Sequence, residues 1–130
     1  MKIILQKFIH RKDLQCNRDI IYLFGDNDMR QGLGGQAKEM RGQANAIGIR
    51  TKKAPRYGNV YYLDEEYDEN ISKIRQDFNK VDAKLQQGSM VVIPSDGFGT
   101  GLAKLKKYAP ETLKYINDKI KELERKYNHE

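Results

Sequence analysis

The chain holds one cysteine, two histidines, three prolines and no tryptophan in 130 residues. A lone thiol, Cys16, excludes an internal disulfide and a multi-cysteine zinc site, and it fits a reducing compartment. Nucleophilic work by Cys16 would need a base. The histidines stand at His10, in a polar segment, and at His129, so Cys16 reads as a plain buried or half-buried thiol. No apolar run approaches the length of a membrane span, and MKIILQKF meets charge too soon for a secretory signal. These absences predict a cytoplasmic protein without a membrane partner. The sequence also lacks G-x-x-x-x-G-K-S/T, which leaves a Walker A phosphate loop unsupported.

What is present is mixed charge and clustered glycine. Lys+Arg 24 against Asp+Glu 18 gives a formal charge of +6 and a pI near 9.3. Such a surplus favours anionic partners, whether nucleotides, nucleic acid or acidic surfaces, without choosing among them. One domain over residues 1–130 is the simplest division, because no repeat, low-complexity tract or linker interrupts the chain.

Short apolar runs alternate with helical periodicity. KIILQ at 2–6, DIIYLF at 19–24, NAIGIRT at 45–51, NVYYLDE at 59–65 and SMVVIP at 89–94 predict strands, with DIIYLF central and buried on both faces. KKAPRYGN at 52–59 predicts a loop. A helix is expected from Gly34 or Gly35 to about Arg41, stopped by Gly42. The segment ENISKIRQDFNKVDAKLQQ puts Ile71, Ile74, Phe78, Val81 and Leu85 on one face of a long helix ended by Gly88. A last helix from about Pro110 repeats that spacing in Leu113, Ile116, Ile120, Leu123 and Tyr127. The fold class is therefore α/β, a three-layer α/β/α sandwich with a mostly parallel sheet.

Two glycine clusters follow strand ends. GDNDMRQGLGGQAKEM, residues 25–40, leaves DIIYLF, and SDGFGTGLAKL, residues 95–105, leaves VVIP. In open α/β sheets ligands bind outside the carboxyl ends of the strands. Each cluster also leads toward a helix, whose first N–H groups favour an anion. Gly34, Gly35, Gly97, Gly99 and Gly101 would let a pyrophosphate lie against bare main chain. GLGGQA satisfies G-x-G-x-x-A, but polar residues separate it from its strand, unlike a Rossmann turn.

The run NDMRQGLGGQA, residues 27–37, resembles the first binding loop of the macrodomains. PSDGFGTGLAKL, residues 94–105, is similar to their second, phosphate-gripping loop. Its G-x-G-L-x-x-L portion, with the preceding VYYL, looks most like the subgroup containing the terminal ADP-ribose protein glycohydrolases. The chain also resembles small macro-like proteins of bacteriophage genomes, which would put it in the host cytoplasm. The resemblance implies a macro-like fold that binds ADP-ribose or a relative such as a cyclic nucleotide. On that reading Asn27 contacts the distal ribose, and Gly34, Gly35 and Gln36 line it. Gly97, Phe98, Gly99, Thr100, Gly101 and Leu102 surround the diphosphate, and Gly25, Asp26, Ser95 and Asp96 complete the site. The pattern departs at three places. No acidic residue for adenine stands around residues 8–11, Ala103 takes the place of an Asp, and Asp64, Glu65 and Glu66 meet a lysine position. Binding or sequestering is thus expected over turnover, with no cofactor and no resident metal. The alternative is an ADP-ribosyl hydrolase acting on protein or nucleic acid, with Asp26, Asn27 or Asp96 as catalytic candidates.

The remaining charges carry weaker signals. Asp26, Asp28 and Asp96 are read as turn caps or ribose contacts, with a three-carboxylate cation site as the lesser reading. Arg50, Lys52, Lys53 and Arg56 are read as a solvated loop that has the reach to meet the same face. Tyr57, Tyr61, Tyr62 and Phe98 are candidates to stack on a base, with Phe98 best placed. Nucleic acid is the less favoured partner, because a basic helix and an aromatic RNA-binding strand are both missing. The sequence leaves room for an oligomer.

Overall fold

The β-branched and aromatic runs become strands of one parallel sheet in the computed structural model, which describes residues 2–56, 58–98 and 103–128. In chain order the elements are β1 (Ile3–Gln6), α1 (Arg11–Cys16), β2 (Ile21–Asn27), α2 (Ala37–Met40) and β3 (Ala46–Lys52), then α3 (Tyr67–Gln86), β4 (Val91–Pro94), α4 (Leu105–Tyr108) and α5 (Pro110–Tyr127). The sheet order is β1-β4-β2-β3, with every strand pair parallel.

Alternation along β2 assigns its two faces. Ile21 and Leu23 join Ile74, Phe78, Val81 and Leu85 of α3 and Ile116 and Leu123 of α5 in one apolar cluster. Tyr22 and Phe24 join Leu14 of α1 and Ala37 and Met40 of α2 in another. Helices therefore cover both faces. Each fully buried aliphatic or aromatic side chain contributes about 1.5–3 kcal/mol, so the α3 stripe is the larger anchor.

This wiring sets where a crevice opens. The chain leaving β2 runs to α2 on one face, whereas the chain leaving β4 runs to α4 and α5 on the other. The two strands are neighbours, paired at Ile21↔Val91 and Tyr22↔Val92, while β2 continues to Asn27 beside β3. Neighbouring strands whose exits turn to opposite faces leave a gap at their carboxyl ends, the position where ligands settle in such sheets.

Several elements differ from the sequence reading. The strand containing DIIYLF runs on through Gly25, Asp26 and Asn27, because these residues continue the ladder to β3. The helix expected from Gly34 shrinks to Ala37–Met40, since the preceding glycines carry the entropy cost of ordering and form a tight turn instead. NVYYLDE is not a strand: Tyr61 makes one isolated antiparallel bridge to Lys52, and Asp64–Glu66 is a 3₁₀ turn. Ile71 is only half-buried, whereas Asn70 and Asp77 on the same helix are buried. Helices α1 and α4, too short to show a full apolar period, were not expected. Cys16 is exposed.

Candidate functional site

The site begins with a glycine on a strand. A Cβ on Gly25 would sit 2.7 Å from the main-chain oxygen of Phe98, so only a bare backbone lets the second loop close against the end of β2. Gln36 then fastens the parts together. Its Oε1 accepts from the Gly25 N–H at 2.8 Å, and its Nε2 donates to the Gly97 carbonyl at 3.0 Å. One side chain thereby joins the end of β2 to both glycine loops.

Between these parts lies a cleft of about 260 Å³. Its floor is Gly25, Asp26 and Asn27 at the end of β2. Gln31, Gly32, Gly34, Gly35, Gln36 and Ala37 form the first-loop wall, backed by Arg41. Thr51, Lys52 and Pro55 form the β3 wall, and Gly97, Phe98 and Ala103 the second-loop wall. The N–H groups of Ala37, Lys38 and Glu39 turn back onto the carbonyls of Gly34, Gly35 and Gln36. Among the described residues, the N–H groups of Gly34, Gly35 and Gln36 have no protein acceptor.

The carboxylate on the floor is already occupied. Asp26 is buried and accepts from Arg41 Nη2 at 2.5 Å, Arg30 Nη1 at 3.0 Å and the Asn27 N–H at 2.8 Å. Arg30 reaches on to Asp77 of α3 at 2.6 Å, and Arg50 donates to the same Asp77 from its main chain and its guanidinium. Burial pulls the Arg30 pKa down, but the guanidinium's hydrogen bonds to Asp26 and Asp77 and their charges together raise it. Gly48 of β3 is bare because a Cβ there would run into the Asp26 carboxylate, its Cβ only 2.8 Å away. Buried charges survive when paired and hydrogen-bonded, and this array meets that condition.

Asn27 is likewise engaged. Its Nδ2 donates to the Gln31 carbonyl at 2.7 Å and its Oδ1 accepts from the Met29 N–H at 3.0 Å, so the side chain ties its own turn. Asp28 turns away, accepting from the buried Tyr62 hydroxyl and from Lys73 of α3 at 2.7 Å. Burial and the hydrogen bond to Asp28 push the Tyr62 phenol well above its ordinary pKa. Asp26 and Asp28 thus serve separate cations. Among the described residues, no group of three or more histidine, cysteine or acidic side chains converges as a metal site.

The basic segment divides in the same way. Arg50 goes to Asp77, Lys53 pairs with Glu66 at 2.8 Å, and Arg56 is exposed. Lys52 is different: it lines the cleft, and burial lowers its pKa with no carboxylate raising it back.

Ser95 and Asp96 are exposed on the turn after β4 and do not line the cleft. Gly99, Thr100, Gly101 and Leu102 lie outside the described residues, as do Tyr57 and His129. Phe98 is 5% exposed and belongs to the apolar cluster beneath the sheet, so its ring is packing rather than a platform for a base. Tyr62 is fully buried, and Tyr61 stacks on Tyr108 at 4.7 Å between ring centroids. Sequence reasoning missed Gln31, Arg41, Thr51 and Pro55. No signal in the sequence pointed to them, because their place at the cleft depends on β3 returning to pair with β2 across the crossover that contains α2.

The described residues include no helix long and apolar enough to cross a membrane. The profile of a family of unknown function (DUF7831) matches residues 4–119. No curated protein and no solved structure matches the chain.

Proposed function

The chain belongs to that family, and we propose, from the geometry of the cleft, that it binds an anionic nucleotide of the ADP-ribose type there and holds it without turnover. The reading takes the fold as macro-like, with the glycine loops as the two ligand loops. The observation that carries it is the cleft at the end of β2, where Gln36 joins both loops and Gly32, Gly34 and Gly35 form half of the first-loop wall. Its volume falls just under the roughly 300–1,000 Å³ of small-molecule pockets, so a dinucleotide-sized ligand fills it and projects toward solvent.

Holding is favoured over hydrolysis by the state of the catalytic candidates. A general base needs an open lone pair at the reacting atom. The Asp26 oxygens are covered by two guanidiniums, both ends of the Asn27 amide tie the turn, and Asp96 stands off the cleft. Ala103, which does line the cleft, has no functional group to offer. A sequestering protein for a signalling nucleotide, such as a cyclic ADP-ribose derivative, fits this arrangement and the resemblance to phage proteins.

The test is a melting panel of ADP-ribose, cyclic ADP-ribose, NAD and cyclic dinucleotides, followed by recovery of the ligand after denaturation. A true ligand at a hundred times its Kd stabilises by about 2.7 kcal/mol and is recovered unchanged. A silent panel on folded protein contradicts binding. Multiple turnovers of ADP-ribosylated protein or DNA, lost in Asp26→Asn or Asp96→Ala, contradict holding and establish the hydrolase.

A further inference from the structure

Among the described residues, three charged side chains line the cleft: Asp26, Arg41 and Lys52. Asp26 and Arg41 neutralise each other at 2.5 Å, and Arg30 adds a second cation to the same carboxylate. The charged groups around Lys52 are engaged elsewhere. On its own segment Arg50 is taken by Asp77 and Lys53 by Glu66. Across the ladder Asp28 uses its N–H to bind the Lys52 carbonyl and its carboxylate to hold Lys73 and Tyr62. Tyr61, bridged to Lys52 through the main chain, presents its ring to Tyr108. No described carboxylate forms an ion pair with Lys52.

We infer that Lys52 is the anion anchor of the cleft, and that the group it takes is a diphosphate lying across the end of β2. The inference deepens the nucleotide reading and rests on it for the identity of the rest of the ligand. Lys52 is on β3 and the second loop leaves β4, on the other side of β2. Two strand spacings separate the walls by roughly 10 Å. A diphosphate spans that distance with one phosphate at the ammonium and the other toward the Gly97 wall, passing the N–H groups of Gly34, Gly35 and Gln36. A lone phosphate reaches only one wall. Ligand preference therefore follows diphosphate over monophosphate over uncharged nucleoside. Burial disfavours the Lys52 ammonium, and a bound anion reverses that.

Inorganic pyrophosphate and lysine side-chain NMR test this in the intact protein. The Lys52 signal, assigned with Lys52→Met, is expected to titrate below the ordinary lysine value and to move up when pyrophosphate is added. An anion held tenfold more tightly by the ammonium form raises that pKa by about one unit. In calorimetry with ADP-ribose, Lys52→Met loses about tenfold or more in affinity and most of the salt dependence, Lys52→Arg recovers much of it, and Lys53→Met changes little. Lys52→Met melts at or above wild type, because it removes a half-buried charge without a partner. A Lys52 pKa unmoved by pyrophosphate overturns the anchor, whether or not ADP-ribose binds. A pyrophosphate-induced shift without any nucleotide binding upholds the anchor and rejects the nucleotide reading.

Discussion

At the scale of single residues, Gln36 and Asp77 show how far a side chain's task can lie from its sequence context. Gln36 was expected to line the distal ribose, yet its side chain bonds to Gly97, 61 positions away. Gln36→Leu leaves the Gly25 N–H and the Gly97 carbonyl without their partner, and an unsatisfied polar group costs about 1–3 kcal/mol. Part of that is recovered from water at this half-buried position, so about 1 kcal/mol is expected in denaturant unfolding, with a larger relative loss of ligand affinity. Asp77 sat within an apolar stripe and carried no signal of its own, because the arginines that pair with it come from the first loop and β3. It is 0% exposed. Asp77→Ala strands two arginines and is expected to cost about 3 kcal/mol, measured by the same unfolding. The glycines were legible as a backbone requirement. Which of them meets what was not, since Gly25 and Gly48 are defined by atoms on other elements.

At the scale of elements, the long periodic helices were readable and the short pieces were not. Helices α3 and α5 announce themselves through an apolar stripe, whereas α1, α2 and α4 are too short for periodicity to separate them from turns. NVYYLDE has strand composition, but the chain bends at Asp64 to serve another element. The Asp64 carboxylate accepts from the N–H groups of Glu111 and Thr112 at 3.1 and 3.3 Å, capping α5. Asp64, one of the three acids that stood against an expected lysine, thus holds a helix end. Asp64→Ala is expected to lower stability by about 1 kcal/mol and to leave ligand affinity unchanged, read by unfolding and calorimetry on one sample.

The α3–α5 contact carries its own pH dependence. Hydrogen bonding from Tyr127, then from Lys126, holds the Asp82 pKa below its ordinary 3.8. A depressed carboxylate pKa in the folded state stabilises above the unfolded value and loses that contribution as pH falls through the folded one. The stability contributed by Asp82 is therefore present at neutral pH and disappears below about pH 4. Asp82→Asn is expected to lower stability at pH 7 and to flatten the acid limb of a melting-temperature profile.

At the scale of the molecule, the α/β class and parallel sheet followed from alternation of strand runs and helical stripes. The strand order did not, because it depends on which neighbours the long crossovers select. That order matters most, since placing β4 beside β2 with exits to opposite faces puts the cleft between the two glycine loops. The sequence supplied the loops as a pair, and the topology supplies the reason they meet. The most direct measurement is an amide NMR titration of the whole protein with ADP-ribose, read residue by residue. Binding in the cleft predicts saturable shifts at Gly25, Asp26, Asn27, Gly34, Gly35, Gln36, Lys52 and Gly97, with α3 and the far half of α5 unmoved. Shifts confined to the helices, or none at millimolar ADP-ribose, would contradict it.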